Sequence, residues 1–500
     1  MNAFMVPKIV EVAFRLNNKK EHQKMASRMK GWKGIILALP ALCVLFLALP
    51  VGAIELKAGT AKGIITPADP KGRITVMGIP AKGVEHDIYA RVLVLDDGLH
   101  KLVLVTYDLN CLDVATPILR SRCLRELGID PAYLLLLATH NHAAPIQIVP
   151  ANFAYGRWLA DRIFGLIQEA IAREQGPVKV LFGYGPGDFI RSDPRYPSIY
   201  GWRGKPIDNE VQVLKVMRGE EVVALYFTQA THPLQASFSM IEVGHPGYAV
   251  EEVEERAPAG LALYSDGAGG DQFVGNGLVM WAPLRTVKKS ARELADAVMQ
   301  IAAGPMQEVT GALAARLQVI ALPLKPPLSL EEAQKLVKKE KIPTDIGLVP
   351  YPEQDRPTNW VRNLLQHYAQ NIPFPTTTAD RICTDDGFLV QELPEPAEFP
   401  CRYEETIVAK IGVLVFVAMQ GEVCAPIGLQ IKQAFRGRTP ILVTAYMGEH
   451  NLYLPTRVLV ERHAYQAEVI QTQYASPVGW APEVEEEMVK AVGRMIEDML

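Results

Sequence analysis

The chain has 500 residues, 49% of them apolar and 21% charged, with a formal net charge of −4. That balance excludes a disordered or collagen-like chain and suffices for one large or two ordinary domains. The first 53 residues hold eight basic side chains against Glu11 and Glu21, so the remainder carries 43 basic and 53 acidic residues, a charge of −10. Such a surface argues against a nucleic-acid binder, which needs basic groups to neutralise phosphates.

Residues 34–50 form an uncharged apolar run of 17 residues, preceded by Lys30 and Lys33 and followed by Val51-Gly52-Ala53. A basic flank, an apolar stretch and a small-residue exit have the form of a secretory signal cleaved after Ala53. This predicts an exported protein, extracellular or periplasmic, with residues 54–500 as a single domain. An uncleaved membrane anchor is the alternative, for which the run is at the short end. Five cysteines remain after cleavage (Cys111, Cys123, Cys383, Cys401, Cys424), too sparse and odd a set for a disulfide scaffold. Cys383 and Cys401 flank a loop-like stretch and could pair. None has metal-ligand spacing.

From Ile54 onward, apolar runs typical of buried strands alternate with segments of helical period. Strands are predicted at 91–95, 101–106, 133–138, 178–183, 211–217, 222–228, 317–322 and 407–419. Helices are predicted at 155–173, 284–302, 330–340, 427–435 and 483–500. This is an α/β pattern. Residues 322–401 break it with clusters of Pro, Asp and Glu around Tyr351, Trp360 and Tyr368, too long for an ordinary connection; they read as a surface insertion or as a lid over a substrate cleft.

Three strand ends finish in residues of metal-ligand type. His140-Asn141-His142 follows the run from Tyr133, His232-Pro233 follows the run from Val222, and Gly421-Glu422 closes the apolar stretch to Met419. Two imidazoles and a carboxylate are the set that leaves a zinc position open for water. Ordinary hydrogen-bonded histidines and generally polar strand ends are the plainer reading of each alone. Residues 264–271, Tyr-Ser-Asp-Gly-Ala-Gly-Gly-Asp, form a glycine-rich turn whose N–H groups could approach an oxyanion or ligand. It is no phosphate loop, since no Lys-Ser/Thr follows. Tyr453-Leu454-Pro455-Thr456, with Tyr465 twelve residues on, reads by itself as packing.

In this order, these stretches resemble the neutral (non-lysosomal) ceramidase family, specifically its N-terminal catalytic domain. The likeness runs from Lys57-Ala-Gly59, Ile64-Ile-Thr-Pro67 and Met77-Gly78 through Arg91 and Asp108. It continues through Ala138-Thr-His-Asn-His-Ala-Ala-Pro145, Ile190-Arg-Ser192, Thr231-His-Pro233, Gly267-Ala-Gly-Gly-Asp271, Gly421-Glu422 and Tyr453-Leu-Pro-Thr456. The resemblance implies an α/β fold of mixed β-sheets flanked by helices, with a zinc site at strand ends and without the C-terminal immunoglobulin-like domain of longer members. It implies Zn2+ bound by His140, His232, Glu422 and Tyr453, with His142, Arg191 and Tyr465 lining the same site as catalytic groups. It also implies a lipid or other small-molecule substrate, met at a membrane surface, and no nucleic acid.

Three departures stand out. Phe273 occupies the place of a family Ser proposed as catalytic, Ala143-Ala144 replaces the usual Ser-Gly, and Ile190 replaces the usual Asn before Arg191. They leave the implied zinc set intact but point away from ceramide itself. The expected function is therefore a secreted zinc hydrolase cleaving an amide bond of an N-acyl substrate with metal-activated water. An esterase on the same site, or a catalytically silent exported binding protein, are the alternatives.

Overall fold

The computed structural model describes residues 55–147, 149–192, 206–236, 239–257, 260–275, 282–337, 356–372, 399–449, 452–472, 474 and 476–500, all within one unit, 54–500. The apolar run 34–50 and Cys383 lie outside them. No helix among the described residues is long and apolar enough to cross a membrane.

The chain begins with β1 (Leu56–Ile64), β2 (Tyr89–Asp96), β3 (Lys101–Tyr107), α1 (Ala115–Leu127), β4 (Leu134–Ala138) and α2 (Phe153–Ala172). Next come β5 (Gln175–Pro186), β6 (Ile190–Ser192), β7 (Glu210–Arg218), β8 (Glu221–Gln229), α3 (Gly244–Arg256), β9 (Leu261–Asp266) and β10 (Gln272–Val274). They are followed by α4 (Leu284–Ala303), β11 (Gln307–Glu308), β12 (Leu313–Pro323), α5 (Leu330–Val337) and α6 (Arg356–Gln370). The last part holds β13 (Cys401–Ile411), β14 (Leu414–Met419), β15 (Glu422–Val423), α7 (Ala425–Phe435) and β16 (Ile441–Thr444). It ends with β17 (Tyr453–Leu454), α8 (Arg457–Glu461), α9 (Tyr465–Thr472) and α10 (Val484–Glu497).

Two mixed sheets stack face to face. One runs β4-β3-β2-β1-β5-β7-β8-β9, with β11 beside β5; the other runs β12-β13-β14-β16. The near-continuous apolar strands follow from burial of both their faces. In β2, Leu93 and Leu95 enter the core between the sheets while Val92 and Val94 enter the core under the helices. Phe416 and Ala418 of β14 face the first core, and Val415 and Val417 the second, the period of two that a pleated strand imposes.

The predicted α/β class of mixed sheets flanked by helices is what the chain adopts. One strand differs: the run 407–419 is a hairpin, because Gly412 takes φ +56° and turns the chain between β13 and β14. A Cβ there would stand 2.3 Å from the Val309 carbonyl oxygen, so only glycine fits. Of the stretch 322–401, α5 and α6 are described. They share a small apolar cluster of Ala333, Val361 and Leu364, and α6 packs on α9.

His245, in the first turn of α3, is fully buried, and burial lowers its pKa to about 3. Above pH ~6.5 the ring is neutral folded or unfolded, whereas between 6.5 and about 3 only the unfolded chain takes the proton. Stability should therefore fall as pH drops through that window. Denaturant titrations from pH 7 to 4 are expected to show a shallower decline in His245→Gln than in wild type; identical slopes would remove His245 as the cause.

Candidate metal centre

The site gathers where strands end. β4 runs parallel to β3 and β8 parallel to β9, and the site lies just past the C-terminal ends of β4 and β8. The large sheet curls until β4 contacts β9, although they lie at opposite ends of its strand order. That closure brings His140, two residues past β4, beside His232, three past β8: their ring centroids are 4.6 Å apart. The second sheet contributes through the end of β14. β14 leads through Gly421, at φ +84°, into Glu422 of β15, which pairs in parallel with Tyr453 of β17.

The three imidazoles of His140, His142 and His232 are buried, and each offers a nitrogen within 4.8 Å of the others. Glu422 Oε2 lies 3.6 Å from His140 Nε2 and 3.6 Å from His232 Nδ1. These separations exceed a good hydrogen bond. They approach the ~3.4 Å edge of a tetrahedron with bonds of ~2.1 Å, the ligand spacing around zinc. On the other side of His232, its Nε2 is 3.4 Å from the Tyr453 hydroxyl and the two rings stack at 5.8 Å. Burial, reinforced by the Glu422 charge, holds that phenol protonated well above its ordinary range. Donor chemistry, burial and spacing thus fit a divalent cation.

The remaining residues singled out in the sequence fall at different distances. His142 has its ring centroid 4.8 Å from that of His140 and 4.9 Å from that of His232. Tyr465, the first residue of α9, packs edge-on against Tyr453 at 5.7 Å. Arg191 is exposed; its guanidinium donates to the carbonyls of Asp188 and Ile190, and its strand pairs it with Phe273. Phe273 stands with its ring 6.1 Å from His232.

The glycine-rich turn does something other than face a ligand. Gly267 N–H donates to the Gln229 carbonyl and Gly270 N–H to the Val423 carbonyl. A Cβ on Gly269 would stand 2.2 Å from Thr231 N, and one on Gly270 2.5 Å from the Glu422 carbonyl oxygen. The turn is a clamp, letting the backbones that carry His232 and Glu422 approach each other. Asp271 completes it: its Oδ1 accepts from Ala425 N–H at the start of α7, satisfying a donor the helix leaves open.

Asn110, Asn141 and Tyr446 were missed in the sequence. Asn141 donates to the carbonyls of Asp108 and Glu242 and accepts from Ala143 N–H, tying down the turn between the two histidines. Tyr446, at φ +56°, lies tilted against the His140 ring at 4.1 Å, and its backbone joins Ala138 to Gly421. Asn110 lies beside the His140 ring. A signal existed for Asn110 only, since it follows β3, the parallel neighbour of β4, at the level of His140.

No protein-family model matches this sequence, and no curated protein matches it. Among solved structures, neutral ceramidase from Pseudomonas aeruginosa has the same fold, with TM-score 0.62 at 16% identity over 88% of this chain and 73% of that one. A ceramidase complexed with C2 is similar at TM-score 0.61 and 16% identity, over 87% of this chain and 74% of that one. The domain is neutral ceramidase-like in its fold.

Because Gly269 sits against backbone, Gly269→Ala should push the His232 segment from Glu422, at about 1–3 kcal/mol or more. Gly437→Ala, where a Cβ meets nothing within 4 Å, serves as the neutral control. Urea unfolding of both reads the difference, and equal stabilities would refute the clamp.

Proposed function

We propose that the protein is a zinc-dependent hydrolase that cleaves the amide bond of an N-acyl, lipid-like substrate. The observation that carries this reading is Glu422 Oε2 held 3.6 Å from a nitrogen of each of two buried imidazoles. His140, His232 and Glu422 would hold the ion, with Tyr453 alongside. A zinc ion so held supplies Lewis acidity and lowers the pKa of water from 15.7 toward about 7. The neutral ceramidase-like fold supports an amide as the scissile bond.

The chain's own groups have distinct tasks in this proposal. The Tyr465 phenol donates a hydrogen bond to the oxyanion that develops on the attacked carbonyl. His142, bordering both His140 and His232, carries the proton delivered to the leaving amine nitrogen. Phe273 offers no hydroxyl, so water is the nucleophile. The apolar ring beside His232 and the alanines at 143 and 144 suit an acyl chain better than a polar headgroup. Phe273 also favours a second reading, an exported binding protein that retains the fold without turnover; a zinc esterase would use the same groups. We also propose export, from the signal-like residues 30–53.

Elemental analysis of purified protein is expected to give near-stoichiometric zinc. His140→Ala should lose both metal and hydrolysis of N-acyl substrates, and Tyr465→Phe should keep the metal while losing ~10²–10³ in rate. A metal-free wild type, or hydrolysis that survives His140→Ala, rejects the reading. Metal-loaded wild type as inert as Glu422→Gln across amides and esters selects the binding protein instead. For export, N-terminal sequencing of protein recovered outside the cytoplasm should begin near Ile54; intact protein in the cytoplasm would reject it.

A further inference from the structure

Helix α4 turns one face to the core and carries a block of charge on the other. Val287, Ala291, Leu294 and Val298 are buried, whereas Arg285, Lys288, Lys289 and Arg292 are exposed. Spacings of three, four and seven residues put these four cations on one solvent-facing stripe about two turns long. The first turn holds no acidic residue, although a helix start favours acids and disfavours bases. Like charges three and four apart also repel one another. Two acids answer them in part: Glu252 accepts from Arg292 at 3.1 Å, and Glu293 lies 3.9 Å from Lys289. Lys288 stands over the Tyr248 ring, 5.3 Å from its centre. Positive charge is thus in surplus along this stripe, on a chain whose net charge is −4.

The stripe stands near the metal centre. Tyr248 meets Lys288, Glu252 meets Arg292 and Arg256 meets Asp296, a constant offset along the chain, so α3 and α4 run parallel with their starts side by side. α3 begins two residues past Glu242, whose carbonyl accepts from Asn141 and whose N–H donates to the Ala143 carbonyl. On the inner side of α4, a Cβ on Gly275, the residue after β10, would stand 3.7 Å from Ser290 Oγ. One helix diameter, ~10 Å, therefore separates the stripe from the strand that carries Phe273. Leu284, 40% exposed, heads the stripe. Cations beside an exposed leucine suit a layer of phosphates over hydrocarbon: the phosphates relieve the repulsion and the leucine enters the headgroup region. Nucleic acid offers phosphates but no hydrocarbon for the leucine.

We propose that the exposed face of α4 docks the protein on an anionic phospholipid bilayer. This deepens the lipid-substrate reading by naming the surface from which substrate is taken, yet its test needs no turnover. The measurement is co-sedimentation of the purified protein with vesicles of phosphatidylcholine, alone or mixed with phosphatidylserine. Wild type should partition more strongly onto the mixed vesicles, and the excess should vanish as salt is raised. In Arg285→Gln/Lys288→Gln/Lys289→Gln that partitioning should fall ~10²-fold, about fivefold for each cation removed from the surface. Arg173→Gln/Lys179→Gln/Arg218→Gln removes the same charge from exposed positions outside α4 and should bind as wild type does. Circular dichroism verifies that both variants fold. Binding no stronger with phosphatidylserine, undiminished in the α4 variant, or equally diminished in both variants overturns the proposal. Soluble polyglutamate bound more tightly than the mixed vesicles would make the partner an acidic protein and overturns it too. Docking as expected in a protein that hydrolyses nothing leaves this face assigned and rejects the hydrolase reading alone.

Discussion

One carboxylate oxygen between two imidazoles is the constraint on which the surrounding structure turns. Glu422, His140 and His232 are each at least 95% buried, and a carboxylate taken out of water is costly unless opposite charge and hydrogen bonds meet it. Imidazoles supply only part of that compensation while neutral. A divalent cation would supply the rest, and its binding would add stability to the folded chain.

The fold around the site reads as a device for holding those three groups together. Two residues near the centre, His140 and Tyr446, take left-handed backbone conformations that side chains rarely adopt. Such strain persists only where neighbours over-determine it. Here the neighbours are identifiable: Asn141 bonded across to Asp108 and Glu242, Tyr446 bonded between Ala138 and Gly421, and a glycine turn wedged between Thr231 and Glu422. The buried Arg91–Asp108 pair sits one step further out and anchors the end of β3.

Much of this was legible in advance because strands buried on both faces leave long apolar runs, and the residues just past them stand at a sheet rim. His140, His142, His232 and Glu422 all announced themselves that way. Tyr453 and Tyr465 did not: β17 is two residues long, so neither carries a periodic signal, and only likeness to a family brought them forward. Helices α1 and α3 also passed unnoticed, their apolar residues being spread around the helix because they pack on more than one neighbour. The hairpin at Gly412 was hidden inside a single apolar run, since turn and strands share one composition there.

Sequence by itself determined the α/β class, the sites where strands stop, and the ligand-type residues at those stops, because burial and chain direction are local properties written in residue pattern. Tertiary structure alone decided that β4 meets β9, that the glycine turn clamps backbones, and that Tyr446 lies against the His140 ring. Those outcomes depend on how far a twisted sheet curls and on which strand ends then share a rim, a sum over many contacts that no single stretch of residues encodes.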